Sequence, residues 1–315
     1  MELQFVKMHG LGNDFVVFED LAEELDLSAE AVQWFADRHF GIGGDGVILV
    51  RPASTPEADY YMAYYNNDGS VAEMCGNGVR CFAKYVVDHG LIPADRDDIV
   101  IETLGGLKPI KITRAYDGTL YLATVDMGEP VLKPAEIPTD MRCGGNDDMV
   151  VSCDLETSEG VFLVTPVSMG NPHCVLWVDD VDTIDVERIG SAIETHPMFP
   201  AKTNVEFAQM VGADRIRLRV WERGCGETLA CGTGACATLV AASLTLRVGR
   251  EATVELPGGD LAIRWAEDDH VFMTGPAEEV FSGALTIAED DEDDQQLHRD
   301  ESRGPARLGA HDGAS

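Results

Sequence analysis

The chain has 315 residues, of which 45% are hydrophobic, and it carries a formal net charge of −33 from 56 acidic and 23 basic residues. At ~150 residues per domain, this length predicts two domains, each able to bury a core of its own. The acidic surplus argues against a nucleic acid partner, because proteins that bind nucleic acid present basic faces. No stretch reaches the ~18 apolar residues of a membrane span, and the start does not resemble a signal peptide, so we expect a cytoplasmic protein without a membrane partner.

The charge predicts a protein adapted to concentrated salt. Its magnitude is far above the ~2 to 8 of a typical small soluble domain, so self-repulsion in dilute buffer should be severe. At ~1 M salt the screening length shrinks to ~3 Å, and the composition therefore suits a salt-rich cytoplasm, as in a halophile. The plainer alternative is that the charge only keeps the protein soluble.

Short strands alternate with a few helices along the chain. The predicted helices are 28–38, 76–88, 185–195 and 232–246, and the predicted strands are 14–18, 46–50, 60–65, 99–103, 119–125, 161–165, 173–178, 215–221, 252–256 and 270–274. Many connections are short turns rather than helical crossovers, which favours an α+β protein with an antiparallel or mixed sheet. Residues 289–315 begin with a run of acidic residues and contain little apolar surface, so this acidic tail is predicted to be disordered.

Two cysteines, Cys75 and Cys231, each begin a Cys-Gly-x-Gly turn that runs into a predicted helix, and they are 156 residues apart. A thiol at a helix N-terminus lies among unpaired backbone N–H groups, so its pKa should fall below the usual ~8.5 and it can act as a base. For either turn alone, a buried and inert cysteine is the competing interpretation. The repetition of the turn favours the chemical role.

The repetition extends beyond the cysteines. Asn66 and Glu222 each lie nine residues before the cysteine that follows them, and Asn13 and Asn171 both follow a glycine in similar surroundings, 158 residues apart. These matched features at a nearly constant spacing predict an internal duplication, and therefore two similar domains.

The remaining cysteines and glycines do not indicate another function. Eight cysteines in a chain of this length do not form a disulfide scaffold, so we expect reduced thiols. No Cys or His spacing typical of a metal site occurs, so no metal is predicted. Cys81 and Cys236 lie along the two predicted helices, where core packing is the better interpretation. The sequence 41–46 has the glycine spacing of a dinucleotide fingerprint, but a helix precedes it and a strand follows it, which favours a turn.

Two thiols facing each other across a cleft could place a base on one face of a carbon centre and an acid on the other. Such a pair inverts the centre, so racemisation or epimerisation is the natural reaction. The site would have to stabilise carbanionic charge and exclude water, and helix N-termini aimed at a substrate carboxylate would do the former. No lysine-centred site for pyridoxal phosphate stands out, which favours catalysis without a cofactor.

As a set, the motifs of this chain resemble those of the diaminopimelate epimerase family, from about residue 5 to residue 285. The strings that carry the resemblance are Met8–Phe15, Arg38–Gly46, Asn66–Ser70, Met74–Cys81, Gly170–Cys174, Thr203–Phe207, Trp221–Gly224 and Ala230–Gly234. The resemblance implies an α+β fold with two pseudo-symmetric domains, each a mixed β-sheet or barrel wrapped around a central α-helix. The domains would be residues 1–125 and 126–273, with a final strand at about 274–288 returning to the first.

The resemblance also implies a reaction and a set of site residues. The reaction is the interconversion of LL- and meso-diaminopimelate without a cofactor, in lysine biosynthesis, by an enzyme that is commonly a homodimer. Cys75 and Cys231 would be the base and the acid, exchanging roles with direction, and His173 and Glu222 would tune their pKa values. The substrate would be held by Asn13, Asn66, Gly76, Asn77, Asn171, Asn204, Glu222, Arg223, Gly232 and Thr233.

These residue types suit diaminopimelate, which carries ammonium and carboxylate groups at both ends. Asparagine both donates and accepts, Glu222 accepts from ammonium, and Arg223 forks onto carboxylate. Taken singly, each asparagine is more typical of a surface turn. Some relatives carry a glutamine at the position of Gly46, so that contact must be replaced here, and the loop at 140–148 has no assignable role.

Two other kinds of function remain open at this point. A proline racemase-like enzyme would use the same thiol pair, but its first turn should carry a histidine in place of Asn77, and its substrate would not need Arg223 and Glu222. A thiol-redox or binding protein would show no substrate-dependent proton exchange.

Overall fold

The computed structural model describes residues 2–72, 74–143 and 149–286. The predicted acidic tail at 289–315 and residues 144–148 of the 140–148 loop lie outside these ranges. The first half contains β1 (Glu2–Gly10), β2 (Asn13–Glu19), α1 (Ala29–Ala36), β3 (Gly46–Pro52), β4 (Tyr60–Asn66), α2 (Gly76–Asp88), β5 (Asp98–Thr103), β6 (Gly106–Arg114) and β7 (Leu120–Asp126). The second contains β8 (Cys153–Thr157), β9 (Gly160–Ser168), β10 (Pro172–Trp177), α3 (Val186–Glu194), β11 (Asn204–Met210), β12 (Arg215–Glu222), β13 (Gly226–Thr228), α4 (Gly232–Leu244), β14 (Glu251–Leu256), β15 (Gly259–Trp265) and β16 (Val271–Gly275), and β17 (Glu278–Thr286) follows. Each predicted helix and strand overlaps an observed element of the same type.

The strands of the two halves repeat one pairing pattern. In the first half β1 and β2 are antiparallel, β2 and β3 parallel, β3 and β4 antiparallel, β4 and β5 parallel, and β5, β6 and β7 antiparallel. In the second half β9, β10, β11, β12, β14, β15 and β16 pair in the same order and directions. The sheet is therefore mixed, which confirms the predicted α+β class, and the repeated pattern agrees with the duplication seen in the motifs.

The halves are joined through their sheets. β16 pairs antiparallel with β7, and the hydroxyl groups of Thr124 and Thr274 are hydrogen-bonded across this junction at 2.8 Å. β17 pairs antiparallel with β1, just as β8 pairs with β9 in the second half. The last described strand therefore lies beside the first strand of the chain.

A buried helix lies against the strands of each half. All residues of α2 from Gly76 to Val87 are buried, and α2 packs against β1, β2, β3, β5, β7 and β17. α4 is buried along nearly its whole length and packs against β9, β10, β11, β14, β15 and β16. A helix surrounded by apolar partners is typical of a position at the centre of a core. Cys81 and Cys236 are fully buried on these helices, which confirms their predicted packing role.

One cysteine prediction is wrong. Cys143 and Cys153 form a disulfide with Cα atoms 5.8 Å apart, although reduced thiols were expected throughout. Cys153, the first residue of β8, lies beside Cys143, and this Cα separation lies within the ~4.4 to 6.8 Å that a disulfide requires. Sequence separation alone gives no sign of such an approach. The described part of the chain contains no helix with the length and apolar character of a membrane span.

Candidate active site

Both cysteines of the repeated turns are the capping residues of the buried helices. Cys75 precedes α2 with φ −132° and ψ 119°, and Cys231 precedes α4 with φ −128° and ψ 108°. The first residues of the helices meet, because a Cβ built on Gly76 would lie 4.0 Å from Gly232 Cα. A Cβ on Gly232 would lie 2.9 Å from Met273 Sδ on β16, so a larger residue there would have to displace the Met273 side chain. The fold thus brings the two predicted catalytic turns together.

Asn13 and Asn77 connect the first thiol to the second half of the chain. Cys75 Sγ lies 3.6 Å from Asn13 Oδ1, which also accepts a 3.1 Å hydrogen bond from Asn77 Nδ2. The same Asn77 nitrogen donates to the carbonyl oxygen of Ala230 at 3.1 Å, immediately before Cys231. Asn77 is 3% exposed, so these bonds are shielded from water. A surface-turn role, the competing interpretation for a single asparagine, does not apply to Asn77.

Charged residues to which the sequence reasoning assigned no role fix the orientation of the Asn13 side chain. Its Nδ2 donates to Asp45 Oδ2 at 2.8 Å, so its Oδ1 faces the thiol and Asn77. Arg38 donates to Asp45 at 2.7 Å and to both carboxylate oxygens of Asp14. Asp45 lies within the glycine-rich stretch at 41–46, so that stretch forms a turn beside Asn13, as predicted.

Arg80 is a second residue that the sequence reasoning missed. Its side chain is fully buried in α2 and donates to Gly76 O at 3.2 Å and to Asn77 Oδ1 at 3.0 Å. A third bond runs to Pro276 O at 3.1 Å, between β16 and β17. A buried guanidinium one turn behind Cys75 places a positive charge next to the first thiol. An arginine set among Val79, Cys81 and Phe82 is the signal that could have identified it.

Glu222 and Thr233 lie at the second thiol. Cys231 Sγ is 3.5 Å from the Thr233 hydroxyl, and Glu222 shares a side-chain hydrogen bond with Cys231. Thr228 donates its hydroxyl to Glu222 Oε1, which fixes the carboxylate from β13. Burial raises the pKa of Glu222, while the bonds from Thr228 and Cys231 lower it.

His173 is fully buried behind this thiol and is bonded on both ring nitrogens. Nδ1 lies 2.6 Å from Glu206 Oε1, and Nε2 lies 2.9 Å from Asn171 Oδ1. Glu206 is also fully buried, and its Oε2 atom has no hydrogen-bond partner among the described residues. Burial raises the pKa of Glu206 against the opposing effect of His173. Glu206 lies in the quoted string Thr203–Phe207 but had no predicted role. A charged residue between Val205 and Phe207 in a strand is the sequence feature that could have identified Glu206.

The other predicted substrate-binding residues lie on β4, β11 and the turn after β12. Asn204 is buried, donates to Pro172 O at 2.9 Å and accepts from the Arg223 backbone N–H at 2.8 Å, so it ties β10 to the turn. The Arg223 side chain donates to Ala201 O at 2.9 Å and is exposed. Asn66 is half-buried and donates to the Ser70 hydroxyl at 3.0 Å.

Tyr64 occupies the space that a side chain at Gly46 would need. A Cβ built on Gly46 would lie 2.6 Å from the Tyr64 ring and 2.6 Å from Tyr65 O. Tyr64 is 8% exposed, and both burial and the negative groups Cys75, Asp45 and Glu222 raise its pKa. A phenol therefore stands near the first thiol, and this side chain was not predicted.

Burial is the largest influence on the pKa of both candidate catalytic thiols, and it raises both. At Cys75 the backbone N–H groups of Gly78 and Asn77 and the charge of Arg80 lower the pKa, whereas at Cys231 the carboxylates of Glu222 and Glu206 raise it further. The prediction of a lowered thiol pKa is therefore wrong for the net shift. The helix N-terminus acts in the expected direction, but loss of solvation outweighs it.

The arrangement can bind an anion and move a proton. Two helix N-termini meet at Gly76 and Gly232, and together they favour a carboxylate. A thiol heads each helix, within reach of amide and carboxylate side chains that can hold an ammonium group. Within the part of the chain that the structure describes, no group of three His, Cys, Asp or Glu side chains could hold a metal ion.

Solved structures share this fold at low sequence identity. A hydroxyproline epimerase from Agrobacterium vitis matches with a TM-score of 0.67 and 15% identity, covering 92% of this chain and 94% of that protein. A PhzF-family phenazine biosynthesis protein from Bacillus anthracis matches with a TM-score of 0.62 and 15% identity, covering 91% and 100%. These similarities establish the architecture and not the substrate.

Sequence comparisons are more specific. The diaminopimelate epimerase family model matches residues 5–133 and 165–280. The chain is 48% identical over 287 residues to a diaminopimelate epimerase of Leptospira biflexa, covering 91% of this chain and all of that protein. It is 51% identical over 291 residues to one of Synechococcus elongatus, again covering 91% and all of the relative. The chain therefore belongs to the diaminopimelate epimerase family, isomerases that interconvert LL- and meso-diaminopimelate.

Proposed function

We propose that this chain epimerises diaminopimelate with Cys75 and Cys231 as its two proton carriers. The observation that supports this most directly is the meeting of α2 and α4 at Gly76 and Gly232, each helix headed by one of the thiols. A substrate carboxylate bound by the N-terminal amides of both helices would place the adjacent carbon between the sulfurs. One sulfur, as thiolate, takes the proton from that carbon, and the other, as thiol, delivers its proton to the opposite face.

The remaining predicted residues have distinct proposed roles. Amides at Gly76 and Gly232, with the Thr233 hydroxyl, hold the carboxylate next to the reacting carbon, where negative charge develops. Glu222 accepts from the nearby ammonium group and acts on the pKa of Cys231. His173 acts on the same thiol through Glu206.

The asparagines and Arg223 serve recognition. Asn13 and Asn77 orient each other beside Cys75, and Asn66, Asn171, Asn204 and Arg223 bind the polar groups of the substrate at both ends. Arg223 is exposed and on a turn, so it can swing from Ala201 O onto a carboxylate of the incoming substrate. In the place of the glutamine that some relatives carry at position 46, we propose the Tyr64 hydroxyl.

We propose a setting for the reaction as well. The enzyme is cytoplasmic, supplies lysine biosynthesis, needs neither pyridoxal phosphate nor another cofactor, and works in concentrated salt, for which the net charge of −33 is the support. Its domains are residues 1–125 with the final strand, and residues 126–273, which the repeated strand pairing supports. It is a homodimer, for which exposed Val280 and Phe281 on β17 offer apolar surface. Light scattering that gives the mass of one chain in molar KCl would contradict the dimer.

The test of the reaction is incubation of the purified protein with LL-diaminopimelate in D2O, without pyridoxal phosphate. Deuterium should enter at one α-carbon with inversion, and meso-diaminopimelate should accumulate. Proline and hydroxyproline should exchange no hydrogen under the same conditions. The Cys225→Ala variant, which lacks an exposed thiol outside the two helices, is the matched control and should keep its turnover. Absence of exchange with diaminopimelate would refute the proposal, and exchange with proline alone would favour a racemase.

A further inference from the structure

At three buried positions near the thiols, the two halves of the duplication carry different types of residue. The 156-residue spacing of α2 and α4 makes Cys236 the counterpart of Arg80. The strand register, with Val17 opposite Ile48 and Val175 opposite Glu206, makes Ile48 the counterpart of Glu206. Ile48 and Glu206 are 158 residues apart, and the same 158-residue spacing makes Phe15 the counterpart of His173. A backbone that repeats closely therefore carries a buried cation in one half and a buried acid in the other.

Each of these charges lies against the helix that its own thiol heads. Arg80 is 0% exposed and donates to Gly76 O and to the Asn77 side chain, both in the first turn after Cys75. Glu206 is 0% exposed, and its Oε1 is 3.0 Å from the position of a Cβ on Gly234, in the first turn after Cys231. Its other oxygen has no partner in the described structure. Little water can screen either charge, although burial itself lowers the pKa of Arg80 and raises that of Glu206.

The cation Arg80 acts on Cys75, a second carboxylate, Glu206, acts on Cys231, and Glu222 raises the pKa of both thiols. Cys75 is faced by Arg80 on α2, Glu222 on β12 and the Tyr64 phenol on β4, and only Arg80 is cationic. Cys231 is faced by Glu222 on β12 and Glu206 on β11, with the Thr233 hydroxyl on α4 opposing them. His173 on β10 partly offsets the charge of Glu206 through its contact with Oε1. Among the described groups that act on the pKa of Cys231, none is a cation comparable to Arg80.

We propose that Arg80 and Glu206 make the two thiols unequal, so that Cys75 gives up its proton first and Cys231 keeps its own until substrate is bound. This inference rests on the proposed roles of the two cysteines in the reaction. The enzyme then meets its substrate with a Cys75 thiolate and a Cys231 thiol. After one inversion Cys75 holds the proton taken from carbon, Cys231 has lost its proton to carbon, and exchange of one proton each with water restores the starting form.

The direction of the pKa shifts agrees with this order. Burial is the main cause that raises the pKa of both thiols, and Glu222 raises both further. Glu206 adds to the rise at Cys231, whose pKa lies well above the usual value, whereas Arg80 lowers that of Cys75. A single unpaired charge near a buried group shifts a pKa by ~1 unit or more. The asymmetry should therefore be measurable without turnover.

The experiment follows the ionisation of each thiol by its rate of alkylation with iodoacetamide across a range of pH, with peptide mapping to separate the cysteines. The midpoint in pH, unlike the plateau rate, does not depend on how accessible each sulfur is. We expect the Cys75 midpoint to lie at least ~1 pH unit below that of Cys231. Where a thiol reacts too slowly, the difference in ultraviolet thiolate absorbance between the unmodified enzyme and the variant that lacks that thiol gives its midpoint, because the other free cysteines cancel.

Two variants test the cause. Glu206→Gln keeps the shape and removes the charge, so the Cys231 midpoint should fall by ~1 unit while that of Cys75 moves less. Arg80→Met should raise the Cys75 midpoint, and if that variant fails to fold, Glu206→Gln decides alone. The control is Glu194→Gln, because this buried carboxylate of the same half is bonded instead to Trp221, Lys202 and Gly224, and neither midpoint should move.

The inference would be overturned by equal midpoints in the unmodified enzyme, by a lower midpoint at Cys231, or by a Glu206→Gln variant with an unchanged Cys231 midpoint. These results are independent of the D2O assay. Unequal midpoints in a protein that exchanges no hydrogen would refute the reaction and leave the charge asymmetry standing. Equal midpoints in an active epimerase would refute the charge asymmetry and leave the proposed reaction standing.

Discussion

Replacement of Asn77 by alanine should destabilise the whole chain as well as the site, because this side chain joins the two halves. Its nitrogen donates to Asn13 Oδ1 and to Ala230 O, and its oxygen accepts from Arg80. Truncation to Cβ leaves the carbonyl of Ala230 without this donor and removes one acceptor from a fully buried guanidinium. The substitution therefore removes hydrogen bonds at the N-termini of both α2 and α4.

The magnitude can be worked from those three bonds. Each neutral hydrogen bond contributes ~1 kcal/mol net and the bond to a buried charge ~2 kcal/mol, so the free energy of unfolding should fall by about 4 kcal/mol. At ~2 to 4 °C per kcal/mol for a protein of this size class, the melting temperature should fall by on the order of 10 °C. Urea and thermal unfolding, followed by circular dichroism in molar KCl, would measure both changes.

Two companion variants separate the causes. Asn77→Asp keeps an acceptor for Arg80 but cannot donate to Asn13 and Ala230, so it should lose less stability than alanine and still lose most activity. Asn67→Ala removes an exposed asparagine and should change stability by less than ~0.5 kcal/mol. If Asn77→Ala unfolds within ~1 kcal/mol of the unmodified protein, the bridging role assigned to Asn77 is wrong.

Three other outcomes are expected. Cys75→Ala and Cys231→Ala should each abolish nearly all epimerisation, while Cys81→Ala and Cys236→Ala should keep it; equal losses in all four would point to packing rather than to chemistry. Stability and activity should rise with KCl towards molar concentrations, because the charge of −33 is then screened; full stability in dilute buffer would speak against this. Burial raises the pKa of Cys81 and of Cys236 from 9.0 to about 12. Between these two pH values the unfolded chain loses thiol protons that the folded state keeps, so the free energy of unfolding should fall as the pH rises from about 9 to about 12. The expected loss is up to ~4 kcal/mol per thiol. Urea titrations across this range, with the Cys81→Ala and Cys236→Ala double variant as reference, would show a flatter curve for the variant if the reasoning holds.

The helices were predictable because their signals are local. The start of α2 at Gly76 and of α4 at Gly232 follows from a Cys-Gly-x-Gly turn before an apolar run. The predicted strands omit β1, β6, β8, β11, β13, β15 and β17, whose patterns are weaker. β17, for example, is exposed along most of its length and has no buried stripe, and β6 contains a proline. Such strands are specified by their partners rather than by their own periodicity.

The site was predictable where chemistry and repetition coincide, as at Cys75 and Cys231. The roles of Arg80, Glu206 and Tyr64 were not predicted, because their importance lies in what burial does to a charge or a phenol, and burial depends on strands distant in sequence. The predicted direction of the thiol pKa was wrong for the same reason. A helix N-terminus can be read from a sequence, but the loss of water around a sulfur cannot.

The pairing of β17 with β1 has a consequence for synthesis on the ribosome. The strands of the second half, β8 to β16, can all pair before residue 278 is made, whereas one edge of β1 keeps open N–H and C=O groups until almost the entire chain has been translated. An open strand edge is a site for pairing with a wrong partner, including another nascent copy. A circularly permuted chain that begins with Glu278 would let the first half complete its sheet first, and it should release less aggregate during expression than the natural order of strands.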